Sequence, residues 1–256
     1  IGRKPVSVKR AEALEFFSEL QGDAFKDATI FHLAGFAYPE KSFDQPHDTF
    51  VSNVGLSEQI LEFCKHYSAK IIVPTTACYK DRSISVLSKE SDELVWDNPY
   101  SFSKLLVEEL CALYHRLYRV DTIVLRLFNV YGPGQGSQFL VPWLMSQLEQ
   151  GSTVRVKDVQ SSRDFVFVTD VVRAFLSAEA NAKGGECYNI GTGYSVGIRE
   201  LIDGIGTVWG LKDIEVVSDE RNLRLGVTRA DISKAEDHFG WRPKKDLLEG
   251  LAELRK

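Results

Sequence analysis

Apolar positions in the first half of the chain follow two alternating patterns. Short, nearly continuous runs occur at Thr29-Ile30-Phe31-His32-Leu33, Lys70-Ile71-Ile72-Val73 and Thr122-Ile123-Val124-Leu125-Arg126-Leu127. Such runs are the mark of strands covered on both faces. Between them lie helix-length stretches at Val51 to Tyr67 and Pro99 to Tyr118. In the second, Leu105, Leu106, Leu110, Leu113, Tyr114 and Leu117 follow a helical stripe, and Glu108, Glu109 and Arg116 are expected mostly off it. The alternation predicts an α/β fold with a parallel sheet.

After Tyr131-Gly132-Pro133-Gly134-Gln135-Gly136 the elements shorten. The pattern predicts a helix from Leu140 to Gln150, a strand from Thr153 to Val156 and a second strand from Phe165 to Val168. Asp170 is expected to cap a helix reaching Ala180; a strand from Glu186 to Ile190 and a helix from Val196 to Trp209 follow. No internal repeat or low-complexity linker breaks the chain.

Composition narrows the picture. With 256 residues, 44% hydrophobic and 26% charged, the chain is neither collagen-like nor disordered. A formal charge of −5 and no long basic block argue against nucleic acid or anionic membranes as partners. No apolar stretch approaches the ~20 residues needed to span a bilayer, and Arg126 interrupts one of the longest. Cys64, Cys78, Cys111 and Cys187 are widely spaced and lack nearby clustered His, so no metal site or disulfide framework is expected. Free thiols and the absence of an apolar segment after Ile1-Gly2-Arg3-Lys4-Pro5 point to the cytoplasm.

Candidate chemistry centres on Asn98-Pro99-Tyr100-Ser101-Phe102-Ser103-Lys104. Asn98 is a favoured N-cap and Pro99 a favoured first helical residue, so Tyr100 and Lys104 fall one turn apart on one face. A phenol acting as a base near neutral pH must drop about three pKa units, ~4 kcal/mol, and an adjacent ammonium pushes it that way. The spacing alone is common in helices. Thr75 and Thr76, however, close the preceding strand, and ligands of open parallel sheets bind beyond the carboxyl ends of the strands. Spacing does not separate the two threonines. His32 has no evident partner and is read as strand packing.

Several further motifs stand in a fixed order. They are His32-Leu33-Ala34-Gly35, followed by Ser42, Pro46 and Asn53; Thr75 four residues before Tyr79 and 25 before Tyr100; and Leu125-Arg126-Leu127-Phe128-Asn129-Val130-Tyr131-Gly132-Pro133-Gly134. Arg163-Asp164-Phe165-Val166-Phe167-Val168-Thr169-Asp170, Tyr188-Asn189-Ile190-Gly191-Thr192-Gly193, Arg229-Ala230-Asp231-Ile232-Ser233-Lys234-Ala235 and Gly240-Trp241-Arg242-Pro243 complete the set. Together they resemble the extended short-chain dehydrogenase/reductase superfamily, in its NAD-dependent epimerase/dehydratase branch acting on nucleotide sugars, from about Thr29 to the C-terminus.

The resemblance implies a Rossmann-like doubly wound parallel sheet over residues 1–131, binding NAD or NADP, and a smaller α/β substrate domain over 132–256 with parts returning to the sheet. It makes Tyr100 the acid/base, Lys104 its electrostatic tuner and a ribose contact, and Thr75 the hydrogen-bond partner of the reacting hydroxyl. Ala34, Gly35 and Asn53 would join Tyr100 and Lys104 against the cofactor; Thr76, Asn129, Arg163 and Arg221 would meet the nucleotide sugar. Arg221 stands in Arg221-Asn222-Leu223-Arg224, where the family often has Arg-x-Gly-Asp, and Lys80 replaces a frequent Gly. Read without the resemblance, Arg221, Arg224 and Arg229 are solvated charge. Homodimers joined through the helices before and containing Tyr100 are usual in the family.

The implied reaction is 4-epimerisation of a UDP-hexose or UDP-N-acetylhexosamine through transient oxidation at C4. Dehydration is disfavoured because Thr76-Ala77 supplies no acid, and Cys78 lies one position from the catalytic Cys of the family's keto-sugar reductases, which are the rival reading. The Gly-x-x-Gly-x-x-Gly phosphate loop is not found in the chain. Residues 1–28 are read as the end of a third strand, Val6-Ser7-Val8, and a helix from Ala11 to Leu20, so the sheet is expected to lack its first strands. On this reading the chain is an N-terminally truncated piece that binds NAD weakly, with Thr29 to Leu33 a bare edge. A non-catalytic sugar-nucleotide binder is a third reading, and the intact Thr75, Tyr100 and Lys104 count against it.

Overall fold

The computed structural model describes residues 25–79, 86–218 and 226–255. The strand and helix expected before Phe25, together with Lys80, Arg221 and Arg224, lie outside them. The chain divides into unit 1 (Ile1–Cys78, Val95–Arg126, Asn181–Cys187) and unit 2 (Tyr79–Leu94, Leu127–Ala180, Tyr188–Lys256).

Strand β1 (Thr29–Phe31) runs parallel to β2 (Lys70–Thr76), with Ile30 opposite Ile71. With β3 (Asp121–Leu127) and β8 (Glu186–Ile190) they form a four-stranded sheet in the order β1-β2-β3-β8. β2 runs past the expected end at Val73 and carries Thr75 and Thr76 inside its last turn of pleat. Helices α1 (Pro39–Asp44) and α2 (Pro46–Phe50) each open on a proline. The helix expected from Val51 starts instead as a π-helix, Val51–Gly55, which buries Ser52 and Asn53 before α3 (Leu56–Tyr67) continues. α4 (Pro99–Tyr118) has the bounds expected of it: the Asn98 side chain accepts from the Ser101 N–H at 2.8 Å, and Arg119 ends the helix in the left-handed region at φ 58°. Ile60, Leu61 and Cys64 of α3 and Val107 and Cys111 of α4 pack with Ile71, Val73 and Val124 of the sheet, which is why these strands read as unbroken apolar runs.

In unit 2, β4 (Asn129–Tyr131) pairs in parallel with β7 (Phe165–Phe167), and β5 (Thr153–Val156) with β10 (Glu215–Ser218). α5 (Leu140–Gln150) and α7 (Ile198–Trp209) bury Leu144, Leu148, Leu201 and Ile205 against Val154, Phe165 and Phe167. α7 begins two residues later than expected because Val196–Gly197 forms a strand, β9, antiparallel to β6 (Ser162–Arg163). α6 (Val168–Asn181) begins before Asp170, so Asp170 is not its cap. It lies buried in the first turn, where its carboxylate pairs with Arg173 and accepts the backbone N–H groups of Lys244 and Lys245 at 3.0 Å. Its carbonyl accepts Trp241 Nε1 at 3.0 Å, anchoring the segment between α8 (Ser233–Phe239) and α9 (Leu247–Ala252).

Among the described residues no helix is long and apolar enough to cross a membrane. Gly250 of α9 sits where a Cβ would overlap the Tyr131 hydroxyl and lie 2.9 Å from Phe167 Cδ2. Gly250→Ala, which raises helix propensity, is therefore expected to lower stability by ~1–3 kcal/mol in a urea unfolding measurement.

Candidate active site

Helical spacing places Tyr100, Lys104 and Glu108 on one face of α4, each a turn from the next. All three meet the end of β2. The Thr76 hydroxyl lies on the side of the Tyr100 phenol and favours its ionised form. Lys104 Nζ donates to the Pro74 carbonyl at 3.3 Å, and Thr75 Oγ1 donates to Glu108 Oε1 at 2.5 Å. Thr75, expected from the resemblance to partner the reacting hydroxyl, and Thr76 both stand at this strand end, with the Thr75 hydroxyl on Glu108.

Glu108 was expected mostly off the helical stripe, and it is buried. Arg126 of β3 donates from Nε to both of its oxygens, at 3.1 and 3.0 Å, and from Nη2 to Oε2 at 2.6 Å; each residue is 8% exposed. The sequence signal was Arg126 itself, because a guanidinium inside a buried strand requires a carboxylate nearby. Burial pushes the Tyr100 phenol up to about 12, with the Thr76 hydroxyl working against it. Burial also draws Lys104 down to about 8, and no carboxylate among the described residues pairs with its ammonium.

The loop after β1 closes on the same helix. Asn53 Oδ1 accepts the Phe36 N–H at 2.7 Å, while Nδ2 donates to the Phe36 carbonyl at 3.2 Å and to Ser103 Oγ at 2.8 Å. The Asn53 amide, 1% exposed, thus holds the loop instead of facing outward. Beside half-buried Ala34, a Cβ on Gly35 would lie 2.7 Å from Asn53 Oδ1 and 3.6 Å from Lys104 Nζ. The approach that excludes a side chain is to the Asn53 amide, and the lysine lies at ordinary contact distance. The Gly35 backbone thus lies beside an ammonium whose donor chemistry fits a ribose hydroxyl. His32, read as partnerless, has Nε2 2.9 Å from Ser57 Oγ, which donates to the Asn53 carbonyl at 2.6 Å.

In unit 2, Asn129 is exposed at the start of β4, and its Nδ2 lies 3.3 Å from the Asp164 carbonyl. Half-buried Arg163 donates from Nη1 to the carbonyls of Ser162 and Gly226. Asp164 is fully buried and accepts Thr192 N and Oγ1 at 2.7 Å, Gly193 N at 2.9 Å and Ala230 N at 3.0 Å. Burial raises its carboxyl pKa against these four donors. Arg221 lies outside the described residues.

Residues 11–191 match the NAD dependent epimerase/dehydratase family. The chain belongs to that family. Its similarity to a UDP-glucose 4-epimerase of Mycolicibacterium smegmatis is 31% identity over 234 residues, 89% of this chain and 75% of the relative. A GDP-6-deoxy-D-mannose reductase of Pseudomonas aeruginosa is 28% identical over 88% of this chain and 78% of its own. Among solved structures, a UDP-glucose 4-epimerase of Thermotoga maritima, determined with UDP-glucose, aligns with a TM-score of 0.83 at 28% identity, covering 95% of this chain and 79% of that one. The sheet of this epimerase/dehydratase family member is thus of the Rossmann type that its sequence suggested.

Burial, with the Lys104 charge second, holds the His32 imidazole down at about 4, against an ordinary value of 6.5. Between those values the unfolded chain binds more protons than the folded one, so stability falls as pH falls through that window. The difference in unfolding free energy between pH 7 and pH 4, measured in urea, is expected to shrink by about 3 kcal/mol in His32→Asn.

Proposed function

We propose that this protein is a nucleotide-sugar epimerase, acting at C4 of a UDP-hexose or UDP-N-acetylhexosamine with NAD. The observation carrying the reading is the helix face on which the Tyr100 phenol stands one turn from the Lys104 ammonium, which pairs with no carboxylate among the described residues, both against the end of β2. Membership of a family described as NAD dependent, and similarity to UDP-glucose 4-epimerases, supports the choice of cofactor and substrate class.

Tyr100 takes the proton of the sugar hydroxyl and later returns it. Lys104 favours the phenolate by its charge and offers its remaining N–H donors to the cofactor's ribose. Ala34 and Gly35 provide the backbone beside it, held in place by Asn53. The threonines at the end of β2 orient the reacting hydroxyl. NAD, held by Ala34, Gly35, Tyr100 and Lys104, would supply reversible hydride transfer at C4. Asn129, Arg163 and Arg221 are assigned to the sugar nucleotide's diphosphate, which guanidinium groups fit by shape and charge. A cytoplasmic homodimer belongs to the same reading, on resemblance alone.

The reductase relative favours a second reading, reduction of a nucleotide keto sugar. Against it, burial pushes the Cys78 thiol up to about 11, far from the range of an active acid near neutral pH. A panel of UDP- and GDP-sugars decides between them. Conversion without added reduced nicotinamide is expected, and strict dependence on stoichiometric NADPH selects the reductase. Binding of a sugar nucleotide with no conversion under either condition selects a non-catalytic binder. Tyr100→Phe is expected to lower kcat by ~10²–10⁴-fold while leaving the thermal midpoint of unfolding nearly unchanged.

A further inference from the structure

We propose that Ser42, 58 residues before Tyr100 in the chain, is a positioning residue for the reaction: its hydroxyl holds the Tyr100 peptide, and with it the phenol, in place. This role rests on the epimerase reading and deepens it.

The first N–H groups of a helix have no partner within the helix and must find one outside it. At the start of α4, local chemistry leaves one such group over. Pro99 carries no N–H, the Ser101 N–H goes to Asn98 Oδ1 at 2.8 Å, and the Phe102 N–H reaches the Asn98 carbonyl at 3.1 Å. The remaining donor is the N–H of Tyr100 itself. It is met by Ser42 Oγ of α1 at 3.2 Å.

Ser42 is wholly buried and donates its own hydrogen to the Pro39 carbonyl at 2.6 Å, so its oxygen is oriented to accept. The other side of the same residue is held too. The Tyr100 carbonyl accepts Ser103 Oγ at 2.7 Å, and Ser103 Oγ accepts Asn53 Nδ2 at 2.8 Å, with both partners buried. Backbone groups on both sides of the Tyr100 Cα are therefore tied to the segments that follow β1. Lys104 takes its place from Glu108 and Arg126 further along the helix, whereas Tyr100, in the first turn, depends on these outside bonds. A first turn released from Ser42 could shift the phenol relative to the ammonium while the rest of the helix stays put.

The test labels tyrosine with 15N and follows hydrogen exchange of the Tyr100 amide, alongside kcat, KM and the pH profile of kcat on whichever nucleotide sugar the wild type converts. Protection of that amide is expected to fall about tenfold or more in Ser42→Ala, as its partner is lost. In the same variant kcat is expected to fall about tenfold with KM within about twofold, and the acid limb of the profile to move up by about half a pH unit as the phenol loses its seat beside the ammonium. Ser42→Cys fills the space with a weak acceptor and is expected to follow Ser42→Ala, which a packing role would not produce. Tyr114→Phe breaks a bond from the same helix to Glu62; it is expected to lower the melting temperature and leave kcat and the profile unchanged. Wild-type amide protection in Ser42→Ala, or a wild-type pH profile in either Ser42 variant, overturns the assignment. Should Ser42→Ala not fold, Ser42→Cys decides alone. A wild type that converts no nucleotide sugar refutes the epimerase reading, and the exchange measurement still decides whether Ser42 holds Tyr100.

Discussion

A buried ion pair, Arg126 of β3 with Glu108 of α4, fixes the register between helix and sheet in unit 1. Such a pair contributes little net stability, because desolvating both charges offsets most of their attraction. Separating them is a different matter, since either charge left alone in the core costs several kcal/mol. α4 therefore cannot slide or rotate by a residue without exposing that penalty. With Glu108 held, Lys104 and Tyr100 are carried one and two turns toward the helix N-terminus, where they meet Pro74 and Thr76. A contact distant from any reacting atom thus sets where the reacting atoms lie.

The same pair shows why part of the site was legible in the sequence and part was not. α4 was readable at both ends because its start rests on local chemistry, an asparagine cap followed by proline. Tyr100 and Lys104 followed from helical periodicity. Glu108 did not, because periodicity assigns a charged residue to solvent unless a tertiary partner claims it, and the partner lies on another element. For the same reason Asp170 was taken for a cap when it is a buried acceptor for Lys244 and Lys245, far along the chain. That the Thr75 hydroxyl meets Glu108 was likewise hidden, because spacing along the chain does not say which acceptor a strand-end hydroxyl finds.

Many residues in the motifs that suggested the family are scaffold. Asp164 ties Thr192, Gly193 and Ala230 to one carboxylate, while its neighbour Arg163 stays partly accessible. Asn189, wholly buried, accepts the Tyr79 hydroxyl at 2.6 Å and donates to the carbonyls of Ser88 and Asp231. Such residues make the fold recognisable because a polar group without exposure must have particular partners. They say little about the reaction, which falls to the few side chains left unsatisfied by the protein itself. Family was therefore easier to read than chemistry.

The π-helix at Val51–Gly55 has its own consequence. Each residue of an α-helix advances the face by about 100°, so one residue absorbed into a wider turn offsets everything before it from everything after it by that angle. On a regular helix Asn53 would stand three, seven and eleven residues before Leu56, Ile60 and Cys64, on the same stripe. The wide turn acts as a phase shifter: the Asn53 amide is free to meet the Phe36 backbone and Ser103 while Ile60 and Cys64 stay in the apolar core. Deleting a single residue there would keep the rod and lose the alignment.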